Sequence, residues 1–420
     1  MQAMVNFRLP LKRGSKEKGS NSYPFSMEKL HFLMVLFILL NLQFPSLLLL
    51  SSASTLPTKY FINCGSVSNI SLSGREFVGD LNVGSFSIGP SSAISILTTN
   101  SSTDTSLYQT ARIFKSQSSY DFDITDFGFY YVRVHFFPFF SGRTNLADAH
   151  FDVSAFNFSL LSDFRIKDNS NSPLIKEYLL TINAAKFSIH FTPREKSFAF
   201  VSAIEVFLVP DKEFVSDELD LITPSGLSDY RYAGVRSELL LTIHRVDVGG
   251  PQNNDSLWRN WIPDDDYLLP GESGKTCVPY EGTLNYDVNG ANNYSASDLV
   301  YKTCRELNIE GSEGSSNYSK LTWAFDVSRS AMHLVRLHFC DIISKDASDV
   351  FFNLYFYGNF THMISTNNIS NLLAAPLYYD LVVESDDSGF IDISVGPRKD
   401  SKNKTAYLNG VEIMEFMKGV

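Results

Sequence analysis

Arginine and histidine recur two positions apart, as Arg133-Val-His135 and, 203 residues later, as Arg336-Leu-His338. On an extended strand residues i and i+2 share a face, so each pair offers one surface a fixed cation and a titratable imidazole. Such a pair could bind an anion or move a proton. Their identical placement in two copies of one sequence block reads better as a shared structural position than as a paired site. A second candidate is Trp258-Arg-Asn-Trp-Ile-Pro-Asp-Asp-Asp-Tyr267, which sets two of the three Trp residues beside three consecutive carboxylates. Aromatic faces for a sugar ring or peptide, next to acids for a basic or hydroxyl-bearing ligand, would make this a recognition loop. Its candidate ligand-binding residues are Trp258, Trp261, Asp264, Asp265, Asp266 and Tyr267. The competing reading has the Trp residues covering a sheet edge and the Asp residues solvated.

Catalytic sets are otherwise missing. Asp126-Phe-Gly128 imitates a magnesium-binding kinase motif, but the glycine-rich loop, lysine strand and His-Arg-Asp loop that must accompany it do not occur. Gly-x-Ser-x-Gly, Walker and His-Glu-x-x-His patterns are absent as well. Acid pairs such as Asp386 and Asp387 sit in polar stretches, and the carboxylate separation that defines a glycosidase is not a sequence property. With no Cys-x-x-Cys and no His cluster, neither metal nor cofactor is expected, and the chain reads as a non-enzyme. Among the four cysteines, Cys64 lies in an apolar, strand-like segment and reads as a buried free thiol. Cys304 and Cys340 replace Ala111 and Phe137 of the first copy, so the expected bridge is Cys304–Cys340, with Cys277 left over.

The elements that must position these residues are strands. Val132, Val134 and Phe136 alternate with Arg133 and His135, and Val335, Leu337 and Phe339 alternate with Arg336 and His338, as half-buried antiparallel strands require. Glu177 to Ile182, Phe187 to Thr192, Ser197 to Val209, Val350 to Tyr357 and Gly389 to Val395 read the same way, and no helical pattern exceeds about two turns. The fold class is all-β. Phe is abundant at 34 copies, with 20 Tyr, which suits the space between packed sheets.

Four blocks occur twice in the same order. Tyr60-Phe-Ile-Asn-Cys-Gly65 matches His244-Arg-Val-Asp-Val-Gly249, and Tyr108-Gln-Thr-Ala-Arg112 matches Tyr301-Lys-Thr-Cys-Arg305. Tyr131 to Phe137 matches Leu334 to Cys340, and Phe200 to Val206 matches Tyr407 to Ile413. A period this long is a duplicated domain, not a solenoid. The expected domains are 58–210 and 239–420, joined by an acidic linker at 211–238 short enough to make them touch and form a cleft.

Residues 1–53 read as an N-terminal extension and signal peptide: Lys29, an apolar run from Phe32 to Leu50, then small residues Ser51 to Ser54. A signal anchor is the competing reading. Nine Asn-x-Ser/Thr sequons follow, at Asn69, Asn100, Asn157, Asn254, Asn293, Asn317, Asn359, Asn368 and Asn403. Asn157, beside two Phe residues, could lie too close to the core to be modified. Leader and sequons together point to the secretory pathway, with the chain extracellular, in the cell wall or on the outer face of the plasma membrane. Without residues 1–53 the chain holds 29 basic and 44 acidic side chains, a net of −15 that repels nucleic acid and favours basic partners.

In this order, Ile62-Asn-Cys-Gly-Ser66, Tyr108-Gln-Thr-Ala-Arg112, Val132-Arg-Val-His-Phe-Phe-Pro138, Val246-Asp-Val-Gly-Gly250, Leu334-Val-Arg-Leu-His-Phe-Cys340 and Leu408-Asn-Gly-Val-Glu-Ile413 resemble the tandem malectin-like ectodomains of plant receptor-like kinases of the FERONIA and THESEUS type. The resemblance runs from about Thr58 to Met417. It implies two tandem malectin-like antiparallel β-sandwich (jelly-roll-like) domains that sense the wall and bind small secreted basic peptides, often with a lipid-anchored membrane co-receptor. The sequence ends at Val420 with neither stop-transfer helix nor kinase, so the expectation is a receptor-like module that signals through another chain, or an incomplete gene model. The expected partner is a secreted basic peptide or a membrane co-receptor; the alternative is a carbohydrate-binding module for a cell-wall glycan.

Overall fold

Aromatic and β-branched residues in short alternating runs make strands of nearly every predicted segment in the computed structural model. The structure describes residues 59–81, 86–89, 94–97, 106–166, 172–270, 274–286, 290–307, 320–344, 350–365, 372–398, 401, 404–417 and 419. The leader at 1–53 and the sequons at Asn100, Asn317, Asn368 and Asn403 lie outside these. Among the described residues the α-helix is a single turn, Asp298–Lys302, capped by the Ser297 side chain. None of their helices is long and apolar enough to cross a membrane.

One continuous sheet runs through both copies. Along its main path the strands are β1 (Lys59–Asn63), β2 (Ile70–Leu72), β3 (Arg75–Gly79), β4 (Gly128–Phe136), β5 (Leu174–Ile182), β6 (Ala203–Leu208), β7 (Glu218–Thr223), β8 (Gly226–Ala233), β9 (Leu240–Asp247), β10 (Met332–Phe339), β11 (Leu377–Glu384) and β12 (Gly410–Phe416), with Asn260–Pro263 branching from β9 and Asn253–Asn254 beside it. They lie in the order β8-β7-β11-β10-β12-β9-β5-β4-β6-β1-β3-β2. The copies meet edge to edge at β5 and β9, where Tyr178 pairs with Leu241 and Leu179 with Leu240. Residues 211–238 hold the β7–β8 hairpin, which extends the sheet beyond β11. Most neighbours are antiparallel, as expected, while β1–β3, β7–β11 and the pairing of Asn260–Pro263 with β9 are parallel.

Each half adds a second layer with the same strand order. In the second half it is Leu321–Asp326, Phe390–Pro397, Phe351–Phe356 and Asn359–Ser365; in the first, Ser118–Asp123, Lys186–Pro193, Phe151–Ala155 and Phe158–Phe164, with Phe86–Gly89 at the edge. Phe136 of β4 packs on Phe164 at 5.0 Å and Phe151 at 5.7 Å, as Phe339 of β10 does on Phe352 at 5.7 Å. The first core also takes in Leu239, Leu240, Met414 and Phe416, so hydrophobic packing continues past the boundary between copies.

Two details correct the sequence reading. The outward-facing Arg133 and His135 are each only 3% exposed, Arg133 against the Leu257 carbonyl and Glu177 and His135 against Tyr108 and Glu205. The strands are therefore buried on both sides. The disulfide joins Cys277 to Cys304, and Cys340 is a buried free thiol like Cys64. Thr276 pairs with Arg305 in an antiparallel ladder, which places Cys277 opposite Cys304, and the Cys277 N–H donates to the Cys304 carbonyl at 2.8 Å. Register, not repeat position, selects the partner.

Both lead-ins end in a glycine that nothing else can replace. Gly65 has φ +78° and Gly249 has φ +72°, and a Cβ on either would lie 2.2 Å from a carbonyl oxygen, that of Ala111 or Cys304. Gly65→Ala and Gly249→Ala are each expected to lose at least about 2 kcal/mol in urea unfolding, from strain plus overlap. Gly142→Ala, at φ +60° in open space, should lose only about 1 kcal/mol, the strain alone.

Candidate functional site

The face of the main sheet opposite the aromatic core carries a row of charge set by strand register. Glu205 opposes Arg133, which opposes Glu177; in the second half Arg245 opposes Glu412, Glu412 opposes Arg336, and Arg336 opposes Asp380. The contacts alternate in sign: Arg75–Glu205 2.8 Å, Glu205–Arg133 3.0 Å, Arg133–Glu177 2.7 Å, Glu177–Arg245 2.8 Å and Arg245–Glu412 2.7 Å. Arg259 approaches Glu412 at 3.6 Å and closes on Asp255 at 2.6 Å, and Arg336 binds Asp380 at 2.7 Å. Burial alone would raise the Glu177 carboxyl, but Arg245 and Arg133 outweigh it and hold the group at about 2. Burial is likewise overridden at Glu205 by Arg133, His135 and Arg75, which keep its carboxyl well below the usual range.

The row is duplicated with the chain. Tyr108 and His135 Nδ1 are hydrogen-bonded at 2.8 Å and His135 Nε2 lies 3.0 Å from Glu205; Tyr301, His338 and Glu412 repeat this at 2.8 and 3.3 Å. The paired histidines are thus one structural position in each copy. Arg245 has no counterpart, since the first copy places Phe61 there, and it is the residue that joins one network to the other.

The candidate recognition loop is taken apart by the fold. Asp264 is 1% exposed and accepts from Gly249 N–H at 2.9 Å, Arg305 Nε at 2.9 Å and Trp323 Nε1 at 2.8 Å. Asp80 holds Gly65, Arg112 and Tyr120 in the same way, so Asp264 is a repeated internal anchor. Trp261 is fully buried and donates to Asp255. Tyr267 stacks on Phe325 at 4.9 Å, Asp265 pairs with Arg305 at 3.1 Å, and Asp266 is exposed. Trp258 crosses to the first half, edge-on to Phe61 and Phe207 at 5.4 and 5.5 Å with the Arg75 guanidinium over its ring. These six residues do not form one ligand face.

What the fold does build is a cavity of about 520 Å³ where the halves meet, lined by Arg75, Tyr108 and Arg133 from the first and Arg245, Asn254 and Trp258 from the second. Of the loop candidates Trp258 alone lines it. Tyr108 was legible as part of a repeated block. Arg75 was not, because its partner Glu205 lies 130 positions away. The five sequon asparagines among the described residues, Asn69, Asn157, Asn254, Asn293 and Asn359, are all exposed. Asn157 sits at the tip of a hairpin turn beside Phe156 at φ +51°, clear of the core despite its Phe neighbours.

A further buried acid, Asp247, also stands outside the row. Asp247 is fully buried and accepts from Asn253 at 2.6 Å and Thr303 at 2.7 Å, with no ion pair among the described residues. Burial pushes its carboxyl up to about 7, against those two hydrogen bonds. The first copy has Asn63 there, bonded by Thr110.

Two outcomes follow from these groups. Arg245→Met leaves Glu177 with Arg133 alone and Glu412 with only the more distant Arg259, and should cost about 3 kcal/mol in denaturant unfolding, part of which Glu177→Gln in the same chain restores. Asp247, with its folded pKa raised, adds stability in acid that is lost as pH rises through 7, whereas Glu177 adds stability that is lost as pH falls towards 2. Stability should therefore peak in mild acid. Asp247→Asn should gain roughly 2 kcal/mol at pH 8 and nearly nothing at pH 4, read from urea midpoints across that range.

Comparison with known proteins places this geometry. The model of the malectin-like domain matches residues 62–416. A probable receptor-like protein kinase of Arabidopsis thaliana is 38% identical over 392 residues, covering 90% of this chain and 46% of that protein. Receptor-like protein kinase THESEUS 1 of the same plant is 32% identical over 368 residues, covering 86% and 42%. The chain spans less than half the length of these curated relatives. Among solved structures, the ANXUR2 extracellular domain from Arabidopsis thaliana matches with a TM-score of 0.75 at 24% identity, over 86% of this chain and 97% of that one. The plant peptide RALF23 in complex with FER and LLG2 matches with a TM-score of 0.71 at 24% identity, over 86% and 96%. The duplicated sheet, the family model over nearly all the described residues and relatives above 30% identity agree: the chain belongs to the malectin-like domain family, as found in the extracellular portions of plant receptor-like kinases.

Proposed function

We propose that the chain is a non-catalytic, extracellular recognition module that binds a secreted basic peptide, with a membrane co-receptor as a further partner. The observation that carries this reading is the cavity between the halves, built from both copies on a floor whose charges already neutralise one another. The solved complex of a related fold with a plant peptide and LLG2 supports the same class of partner. Net charge of −11 over the full chain would draw a basic ligand in at long range. A wall glycan fits less well. The Arg75 guanidinium lies over the Trp258 ring, where a sugar would have to stack, and Phe61 and Phe207 meet the ring edge-on.

Isothermal calorimetry of the secreted chain against a panel of secreted basic peptides tests this. Binding should weaken as salt rises from low to physiological strength. Absence of heat with every peptide in low salt would sink the reading.

A further inference from the structure

The two copies share a floor but not a cover. Strand register aligns Arg75 with Arg259, Phe77 with Trp261, and Ile175 with Tyr378; the repeated blocks align Leu107 with Val300 and Tyr108 with Tyr301. In the second half this floor is roofed by the chain itself. Leu284 and Ala291 pack against Trp261, Val300 and Tyr301 in one buried cluster, and Tyr286 meets the Tyr301 ring edge-on at 6.2 Å. The roof also contributes a backbone group, since the Tyr294 carbonyl accepts from Arg259 Nη2 at 2.7 Å.

In the first half the same floor borders the 520 Å³ cavity. The consequences are visible at its rim. Leu174 is 36% exposed where its counterpart Leu377 is 6% exposed, and Ile175 is 43% exposed. Arg75 Nε is buried without a hydrogen-bond partner among the described residues. Among the described residues the first half places no counterpart of this roof over the cavity. From Asp264 to Tyr301 the second copy is nine residues longer than the first from Asp80 to Tyr108, and residues 98–106, leading into Leu107, are Thr, Asn, Ser and Asp only.

We infer that the cavity receives a turn of a partner polypeptide that places a leucine or aromatic side chain over Leu107, Tyr108 and Ile175 and a backbone carbonyl on Arg75. It takes the place that Leu284, Ala291 and the Tyr294 carbonyl fill in the second copy. This inference rests on the peptide-recognition reading and adds the location and the chemistry. A glycan supplies hydroxyls but neither an aliphatic plug nor a peptide carbonyl, so the site selects protein.

The test is a phage-display selection of short peptides on the secreted, glycosylated chain, with enriched peptides titrated against the parent, Ile175→Asp and Leu174→Ser. Both substitutions fall on exposed rim residues outside the ion row, and thermal unfolding checks that each variant folds. Enriched peptides should carry Leu, Phe or Tyr and bind about tenfold more weakly to a folded rim variant. Trp258, half-buried while Trp261 and Trp323 are fully buried, should become less accessible to acrylamide quenching when the peptide binds. Peptides that bind both rim variants as well as the parent overturn the inference, as does a selection that yields no apolar consensus. A rim variant that instead dissolves a dimer assigns the cavity to a second copy. A gain of Trp258 quenching on trimming the Asn254 oligosaccharide assigns it to the chain's own glycan. Either result also overturns the inference. A basic peptide that binds in calorimetry but ignores Ile175→Asp leaves the recognition reading standing and removes only this one.

Discussion

A charge taken out of water must meet an opposite charge, and here that requirement runs across a whole sheet. Arg75, Glu205, Arg133, Glu177, Arg245 and Glu412 form a chain in which every inner member touches two partners of the opposite sign. Removing an inner link leaves its neighbours with half their compensation in a largely buried region, so the row favours one strand register and penalises a slip by a single residue. A slip would also exchange this face for the Phe-rich one. Hydrophobic packing and ion pairing therefore specify the same alignment from opposite sides of the sheet.

Arg245 turns two repeats into one body. Each copy could close its own network, through Arg133 and Glu205 in the first and Arg259 and Glu412 in the second. By standing where the first copy has Phe61, Arg245 binds Glu177 across the seam, while Trp258 reaches over to pack on Phe61 and Phe207. A tandem pair held only by a linker would be free to hinge. A shared sheet, a shared core and a shared row of ions restrict that motion, and they keep the cavity between the halves in a defined shape, which suits recognition by a preformed surface.

Duplication also shows where the copies were free to diverge. The anchors around Asp80 and Asp264, the Tyr–His–Glu bridges and the left-handed glycines are common to both. Differences collect at Phe61 and Arg245, at Asn63 and Asp247, and in the cover over the floor. The shared set holds each sandwich together; the differing set joins the halves, places Asp247 in the interior without an ion pair among the described residues, and leaves one floor bordering a cavity.

The sequence alone was enough for the strands, the duplication and the all-β class, because alternation and turn residues are local properties and matched blocks need no coordinates. It also singled out Arg133, His135, Arg336 and His338 as structural positions. It misjudged what depends on residues far apart along the chain. Cys304 pairs with Cys277 because two short strands happen to be neighbours, and Asp264 and Trp261, which look like a ligand face beside Trp258, are interior. The side chains that line the cavity come from strands more than a hundred residues apart, such as Arg75 and Glu205. Local periodicity says which face a residue takes, but whether that face meets water, an ion or another strand depends on what packs over it, and only the tertiary structure decides that.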